Sequence, residues 1–192
     1  RGLAEGGVLH FLSTTDPTIL DAQIIVQNRP LGFADYQKLR TKVEEIAQKN
    51  LSHLVRETHR FGRTPDDWPL TASAAGPRPL LGAPVGRPFF LTGFQEHSRL
   101  VEGRWPSANP VAGQGFLELE TVIGAETASL MNWQLGAKIS VFPFRGDALE
   151  RVVLTVVGLA DAIDRQEEYW LGAVTYFSAR TIGERLLIPF YL

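Results

Sequence analysis

Four histidines and two groups of carboxylates are the residues of this sequence best able to do chemistry. The histidines are His10, His53, His59 and His97. An imidazole can ligate a metal or move a proton near neutral pH. A metal needs several ligands converging, and His-Glu-x-x-His, which sets two imidazoles on one helical face, does not occur. His53 and His59 stand six apart, a spacing that does not face them together on a helix. Each histidine is expected to be a surface or hydrogen-bonded residue. His97 precedes Ser98, and an imidazole beside a hydroxyl could activate a nucleophile. Such a pair is defined in space, not by adjacency. No Gly-x-Ser-x-Gly elbow presents a serine elsewhere.

The carboxylates fall at Glu118 and Glu120 and at Asp161, Asp164, Glu167 and Glu168. Glu118 and Glu120 share one face of an expected strand, where a solvated face is the plain reading. Asp161-x-x-Asp164 with Glu167-Glu168 could loosely coordinate calcium, but it lacks the glycine and spacing of an EF-hand loop. A solvated loop is expected. Gly113-Gln-Gly115 lacks the third glycine and the helix of a phosphate loop, and reads as a turn. Asn50-Leu-Ser52 fits the glycosylation pattern but lies inside an expected helix. The chain has no cysteine, which excludes disulfides and thiolate chemistry. No catalytic, cofactor-binding or metal-ligating residue is assigned, and no cofactor is expected.

Lys and Arg number 19 against 21 Asp and Glu, a formal net charge of -2. A nucleic-acid binder needs a basic excess to neutralise phosphates, and none is visible. No run of Lys and Arg suggests a surface for anionic lipid. No apolar run approaches the roughly 20 residues of a membrane helix, so the stretch reads as soluble. With 44% apolar and 21% charged residues, its 192 residues can bury a core without staples.

The elements that must position these residues follow from periodicity. Ala22 to Val26 reads as a short strand, ended by Asn28-Arg-Pro30. Phe33 to Leu54 is the clearest helix: Phe33, Tyr36, Leu39, Val43, Ile46, Ala47, Leu51 and Leu54 recur at steps of three and four. Glu45 and Lys49 form a favourable i,i+4 pair. Arg60 to Arg87 holds Pro65, Pro69, Pro77, Pro79 and Pro84, with Pro88 just beyond, and predicts a long surface loop. Strands are expected at Pro88–Thr92, Gly115–Glu120, Lys138–Phe142, Arg151–Val157 and Leu186–Leu192. Glu126 to Trp133 predicts a short helix, Arg145-Gly-Asp147 a turn, and Gly158 to Glu168 a polar loop. Trp68, Trp105, Trp133, Tyr169 and Trp170 are expected mostly to fill core or lobe interfaces.

A succession of short motifs adds a family resemblance. Phe94-Gln-Glu-His-Ser-Arg-Leu-Val-Glu-Gly-Arg-Trp-Pro106 contains Leu-x-x-Gly-Arg-x-Pro before a strand. Glu126-Thr-Ala-Ser-Leu-Met-Asn-Trp-Gln-Leu-Gly136 then leads into Lys138 to Phe142. Thr155-Val-Val-Gly158 ends the next strand, and Tyr169-Trp170 closes the following loop. In order and spacing, residues 94 to 170 resemble the extracytoplasmic domains of FtsX/MacB-type ABC transporter permeases. The first third matches in layout alone. The chain departs from the pattern in its Pro-rich loop and at Ala137, where many members carry an acidic residue.

The resemblance implies an α+β, two-lobe periplasmic core. A porter-like α+β lobe would comprise 1–94 and 172–192, with the Pro/Gly-rich loop at 60–88. A mostly β lobe would be inserted at 95–171. It implies a domain on the extracytoplasmic side of the cell membrane, without chemistry of its own. Such a domain relays ATP-driven motion to export or release of a lipid, lipoprotein or peptide-type substrate. Its partners would be the transmembrane helices of the same chain, a cytoplasmic ATP-binding subunit that hydrolyses ATP, and a second permease copy, with no nucleic acid. An apolar segment of about 20 residues before Arg1 and more extracytoplasmic chain after Leu192 are then expected. The residues leave two alternatives: a secreted hydrolase using His97 or the carboxylate-rich loop, and an extracytoplasmic sensor with a deep apolar pocket.

Overall fold

The computed structural model describes residues 33–51, 57–64, 66–80, 82–143, 151–170 and 174–192. The expected strand at 22–26, the turn at 145–147, His10 and His53 lie outside the described residues. Two compact units divide the chain, Arg1–Thr58 and His59–Leu192. In the first, helix α1 spans Phe33–Leu51, with Asp35 in its first turn and Lys49 in its last, each matched to the helix dipole. Arg40 bonds Glu44 at 2.8 Å, and Glu45 takes Lys42 at 3.6 Å. Tyr36, Leu39, Val43, Ala47 and Leu51 are half-buried, and Ile46 is exposed.

The second unit is a mixed sheet. Its strands are β1 (Phe61–Arg63), β2 (Trp68–Thr71), β3 (Val85–Leu91), β4 (Ser98–Gly103), β5 (Val111–Gly113), β6 (Phe116–Gly124), β7 (Lys138–Val141), β8 (Arg151–Ala162), β9 (Arg180–Ile182) and β10 (Arg185–Tyr191). Helix α2 (Ala125–Met131) follows β6 directly, and short 3-10 turns lie at Glu168–Trp170 and Val174–Tyr176. Strand β3 pairs with β10, β10 with β6, β6 with β8, β8 with β7, β7 with β2, and β2 with β3. The hydrogen-bonded circuit therefore closes on itself as a six-stranded barrel. Its narrowest joint is Tyr191↔Val122, where the Thr121 hydroxyl adds a 2.8 Å bond to the Tyr191 carbonyl.

Alternation along each strand fills the barrel. Leu70, Ile123, Ile139, Val141, Val152, Leu154, Val156, Ile188 and Phe190 form one buried cluster, with Ala128 and Trp133 from α2 and the turn after it. Gly86 faces the same interior: a Cβ there would sit 2.9 Å from both Phe190 and Val141. Outside the barrel wall, Phe89, Leu91, Phe94, Val122, Ala160, Ala162, Tyr169, Trp170 and Phe177 make a second, largely aromatic cluster.

A one-residue irregularity lets β8 serve both clusters. Val156 pairs with Thr121 but Gly158 with Val122, so Val157 is extra. Such a bulge moves every later side chain to the other face. Val152, Leu154 and Val156 point into the barrel, while Ala160 and Ala162 point into the aromatic cluster. Beyond the bulge the odd-numbered Leu159 packs on the barrel core.

The expected α+β, porter-like two-lobe fold is corrected by this architecture. Ten strands join one mixed sheet. Strands assigned to different lobes are direct neighbours: β2 pairs with β7, and β6 with β10. Two local expectations are also revised. The 60–87 stretch is not one loop, since β1, β2 and the start of β3 lie in it. Pro69 is accommodated in β2 because its carbonyl accepts the Phe142 N–H at 2.9 Å while no amide hydrogen is asked of it. The polar loop expected from Gly158 begins later, because β8 runs on to Ala162. The expected helix at 33–54 appears over 33–51, with 52–54 outside the described residues, and the expected strands at 138–142 and 186–192 appear with ends shifted by one residue.

Phe190 is fully buried and stacks on Trp133 at 6.2 Å. Phe190→Ala should lower stability by about 3–5 kcal/mol, read as a lower urea midpoint with little change in slope.

Candidate functional site

Three of the four motifs that carry the family resemblance meet at the β8 bulge. Gly103, at the end of β4, pairs with Gly158. Arg104 N–H donates to the Val157 carbonyl at 2.9 Å, and Gly136 N–H donates to the Val156 carbonyl at 2.7 Å. Up to Val156 the outer edge of β8 belongs to β7 and the residues just before it; from Gly158 it belongs to β4. The changeover leaves no room for side chains. A Cβ on Gly103 would lie 2.3 Å from the Val157 carbonyl oxygen, and one on Gly158 would lie 2.3 Å from the Arg104 carbonyl oxygen. Gly103 also holds φ at +81°, where L side chains are strained. Gly103-Arg104, Leu135-Gly136 and Val157-Gly158 are thus one joint.

Charged side chains clamp that joint. Arg104 grips Glu120 of β6 with both terminal nitrogens, one at 2.6 Å, and Ser107 N–H donates to the same carboxylate at 2.8 Å. These bonds, Arg104 first, hold the Glu120 carboxyl down from 4.5 to about 2. Glu118 accepts from Lys138 of β7 at 2.6 Å and from the Thr155 hydroxyl of β8 at 2.8 Å. Lys138, then Thr155, lowers its pKa also. The expected solvated acidic face is thus a pair of cross-strand clamps.

His97 lies beyond the other end of β4, in a turn. His97 N–H donates to the Gly93 carbonyl at 3.2 Å, and the His97 carbonyl accepts from Ile163 N–H at 3.0 Å. The imidazole stacks on Tyr169 with centroids 3.7 Å apart and planes 9° from parallel. Its Nδ1 lies 2.7 Å from Glu167 Oε1. His59 meets Tyr169 edge-on at 4.8 Å. The Tyr169 hydroxyl donates to the Thr92 carbonyl at 2.8 Å, and burial pushes its phenol well above the ordinary 10. Trp170 Nε1 donates to the Asp164 carbonyl at 2.8 Å. Tyr169-Trp170 therefore locks the 161–170 segment onto the turn at 92–97.

This arrangement can orient an imidazole, and the adjacent serine does not bond to it. Ser98 Oγ is buried without a hydrogen-bond partner, so no bond joins it to His97. Three of the four carboxylates at 161–168 are also committed: Asp161 takes Arg165 at 2.9 Å, Asp164 caps Gln166 N–H at 2.8 Å, and Glu167 takes His97. Among the described residues no group of three or more His, Asp and Glu could hold a metal ion. Gly113 and Gly115 shape the two-residue turn between β5 and β6, with φ +75° at Gly115. Trp133, Tyr169 and Trp170 are buried, and Trp68 and Trp105 are half-buried against the two clusters, as the aromatic content led one to expect. The Arg104–Glu120 and Lys138–Glu118 clamps had no signal in the sequence, since only strand register makes those residues neighbours.

Gly103→Ala should cost about 1–3 kcal/mol from backbone strain alone, and more from the carbonyl clash, read by denaturant unfolding. Glu120 gives an acid-pH signature. Its folded pKa lies below its unfolded value, so its contribution is present above 4.5 and is lost as pH falls toward 2. Glu120→Gln should flatten that part of the stability-against-pH curve relative to the parent protein; an unchanged slope would count against the clamp. Comparison with protein-family models, curated proteins and solved structures finds no match to this chain.

Proposed function

We propose that this chain is the extracytoplasmic domain of an FtsX/MacB-like ABC transporter permease. In this reading it carries out no reaction. It relays motion, driven by ATP hydrolysis in a cytoplasmic subunit, to export or release of a lipid, lipoprotein or peptide-type substrate. One observation carries the reading: three motifs spread over fifty-five residues meet in the glycine joint at Gly103, Gly136 and Gly158. Short patterns matched by chance have no physical reason to meet. A set that builds one tight crossing behaves as the signature of a shared structural unit.

The chemistry agrees with a mechanical role. The carboxylates bridge strands, His97 is held against Tyr169 and Glu167, and the barrel interior is packed with side chains. A packed interior transmits displacement because it compresses little. Among the described residues no helix is long and apolar enough to cross a membrane, and the reading assigns the membrane segments to other parts of a permease.

Cysteine labelling tests the placement. The chain has no cysteine and Leu80 is 89% exposed, so Leu80→Cys gives a single accessible thiol. In the natural protein, made otherwise cysteine-free in its own cells, a membrane-impermeant maleimide should label this site on spheroplasts. The protein should also fractionate with membranes and co-purify with an ATP-binding subunit. Labelling only after the cytoplasmic membrane is opened would overturn the reading.

A further inference from the structure

The joints around the barrel are made unequally. Strands β3 and β10 pair over five residues, β6 and β8 over nine, and β7 and β8 over four. Strand β2 pairs over two residues with each of its neighbours. Strands β6 and β10 meet at Tyr191↔Val122 alone. Continuous ladders therefore build two walls, β3–β10 and β7–β8–β6. On one side β2 joins them, and on the other a seam of a single residue pair.

Side-chain hydroxyls stand in for the missing ladder along that seam. Thr121 of β6 donates to the Tyr191 carbonyl at 2.8 Å. Just past β6, the Thr127 hydroxyl of α2 donates to the Phe177 carbonyl at 2.9 Å and accepts from Ala179 N–H at 2.8 Å. One hydroxyl thus does the work of a ladder residue's N–H and C=O. Ser178 Oγ donates to Glu126 at 2.6 Å. Thr121 and Thr127 are fully buried, so the groups they satisfy have no water to turn to while the seam is closed. Gly124 lies between them, where a Cβ would fall 1.6 Å from the Phe177 carbonyl oxygen. The two clusters also adjoin here: Val122 belongs to the aromatic cluster and Tyr191 packs on it, while Ile123 and Phe190 belong to the barrel core. Phe94, which follows β3 in the chain, stacks on Tyr191 of β10 at 4.0 Å, so that contact belongs to one wall.

We propose that the barrel opens at this seam, with the short β2 joints as the hinge and the Thr121 and Thr127 hydroxyls as the latch. Opening parts Tyr191 from Val122 and breaks the hydroxyl bonds, while the ladders of both walls stay paired. A long ladder opens only as a cooperative unit, whereas one pair and a few hydroxyl bonds can part below the cost of global unfolding. Opening bares apolar surface of both clusters, which drives the seam shut again. The device follows from strand pairing and does not depend on the transport reading.

Single-cysteine labelling reads the opening, because the chain supplies no other thiol. Val122→Cys sets the thiol at the seam, and Val156→Cys sets it inside the β8 wall; the parent side chains are 1% and 0% exposed. Each full 192-residue variant is treated with a small thiol reagent in urea below its own unfolding transition. After correction for each variant's stability, Val122→Cys should label roughly tenfold faster or more, with a shallow urea dependence. Val156→Cys should label only through global unfolding, with the full urea slope. Adding Thr121→Val should speed labelling at 122 by roughly tenfold, since opening breaks the Thr121 bond. If that pair of substitutions prevents folding, Ser178→Ala at the seam margin should change the rate at 122 in the same direction by less. Labelling at 122 that is no faster than at 156, or equally steep in urea, overturns the proposal. So does labelling at 122 that the seam substitution leaves unchanged.

Discussion

One extra residue in β8 sets the architecture of the second unit. At Val157 the strand gains a residue relative to β6, and the face presented by its even-numbered positions changes from barrel interior to outer cluster. Without the bulge, Ala160 and Ala162 would point into the barrel and Leu159 out of it. The aromatic cluster would then lose its floor. A side-chain period of two makes this switch all-or-none. The same residue marks the changeover on the opposite edge, where β7 gives way to β4. The close approach of Gly103 to Val157 and of Gly158 to Arg104 requires hydrogen in place of a side chain on both strands. Bulge, changeover and glycine pair are one constraint seen from three strands.

The rest of the unit is arranged to hold that constraint from both sides. On the barrel side, β8 is flanked by β6 in parallel and β7 antiparallel, and Glu118 ties β7 to β8 through Lys138 and Thr155. On the other side, Arg104 leaves the joint and reaches Glu120 of β6. Each clamp is surface-exposed, so each adds modestly to stability. Their geometric effect is larger, because they fix the register on either side of the bulge. The aromatic cluster supplies the apolar burial: Phe94 stacks on Tyr191 and Phe177, with centroids 4.0 and 5.3 Å apart. The strand-turn-strand segment at 85–103 is thereby bound to the end of β10.

How much of this was legible depended on whether a pattern was local. The helix at 33–51 and the inner strands announce themselves, because their periodicity is carried by consecutive residues. The second half of β8 did not. The bulge shifts the alternation by one, and Ala160, Asp161 and Ala162 read as a polar loop when the earlier phase is extended past Gly158. Strand β2 was hidden because it pairs over two residues with each neighbour and includes Pro69. The two-lobe expectation failed for a similar reason. Which segments pair is a non-local fact, and the chain returns β10 and β2 to strands that sequence order places in another lobe. The candidate site was half legible. Its glycines and Tyr169-Trp170 stood out as motifs, but the convergence of the glycines and the clamps exist only through register.

The same dependence explains why His97 and the carboxylates Asp161, Asp164 and Glu167 have partners supplied by the fold. A general base needs a substrate proton within reach and, for acyl transfer, a nucleophile beside it. His97 has an orienting carboxylate and a stacked ring, but the neighbouring serine is buried and bonds to nothing. Glu118, Glu120, Asp161, Asp164 and Glu167 likewise have bound partners that are parts of the fold. Groups used up as clamps cannot also turn over substrate without loosening the strands they fix. Among the described residues these ionisable side chains act first on the fold itself, fixing strand register at Glu118 and Glu120 and the turn at His97.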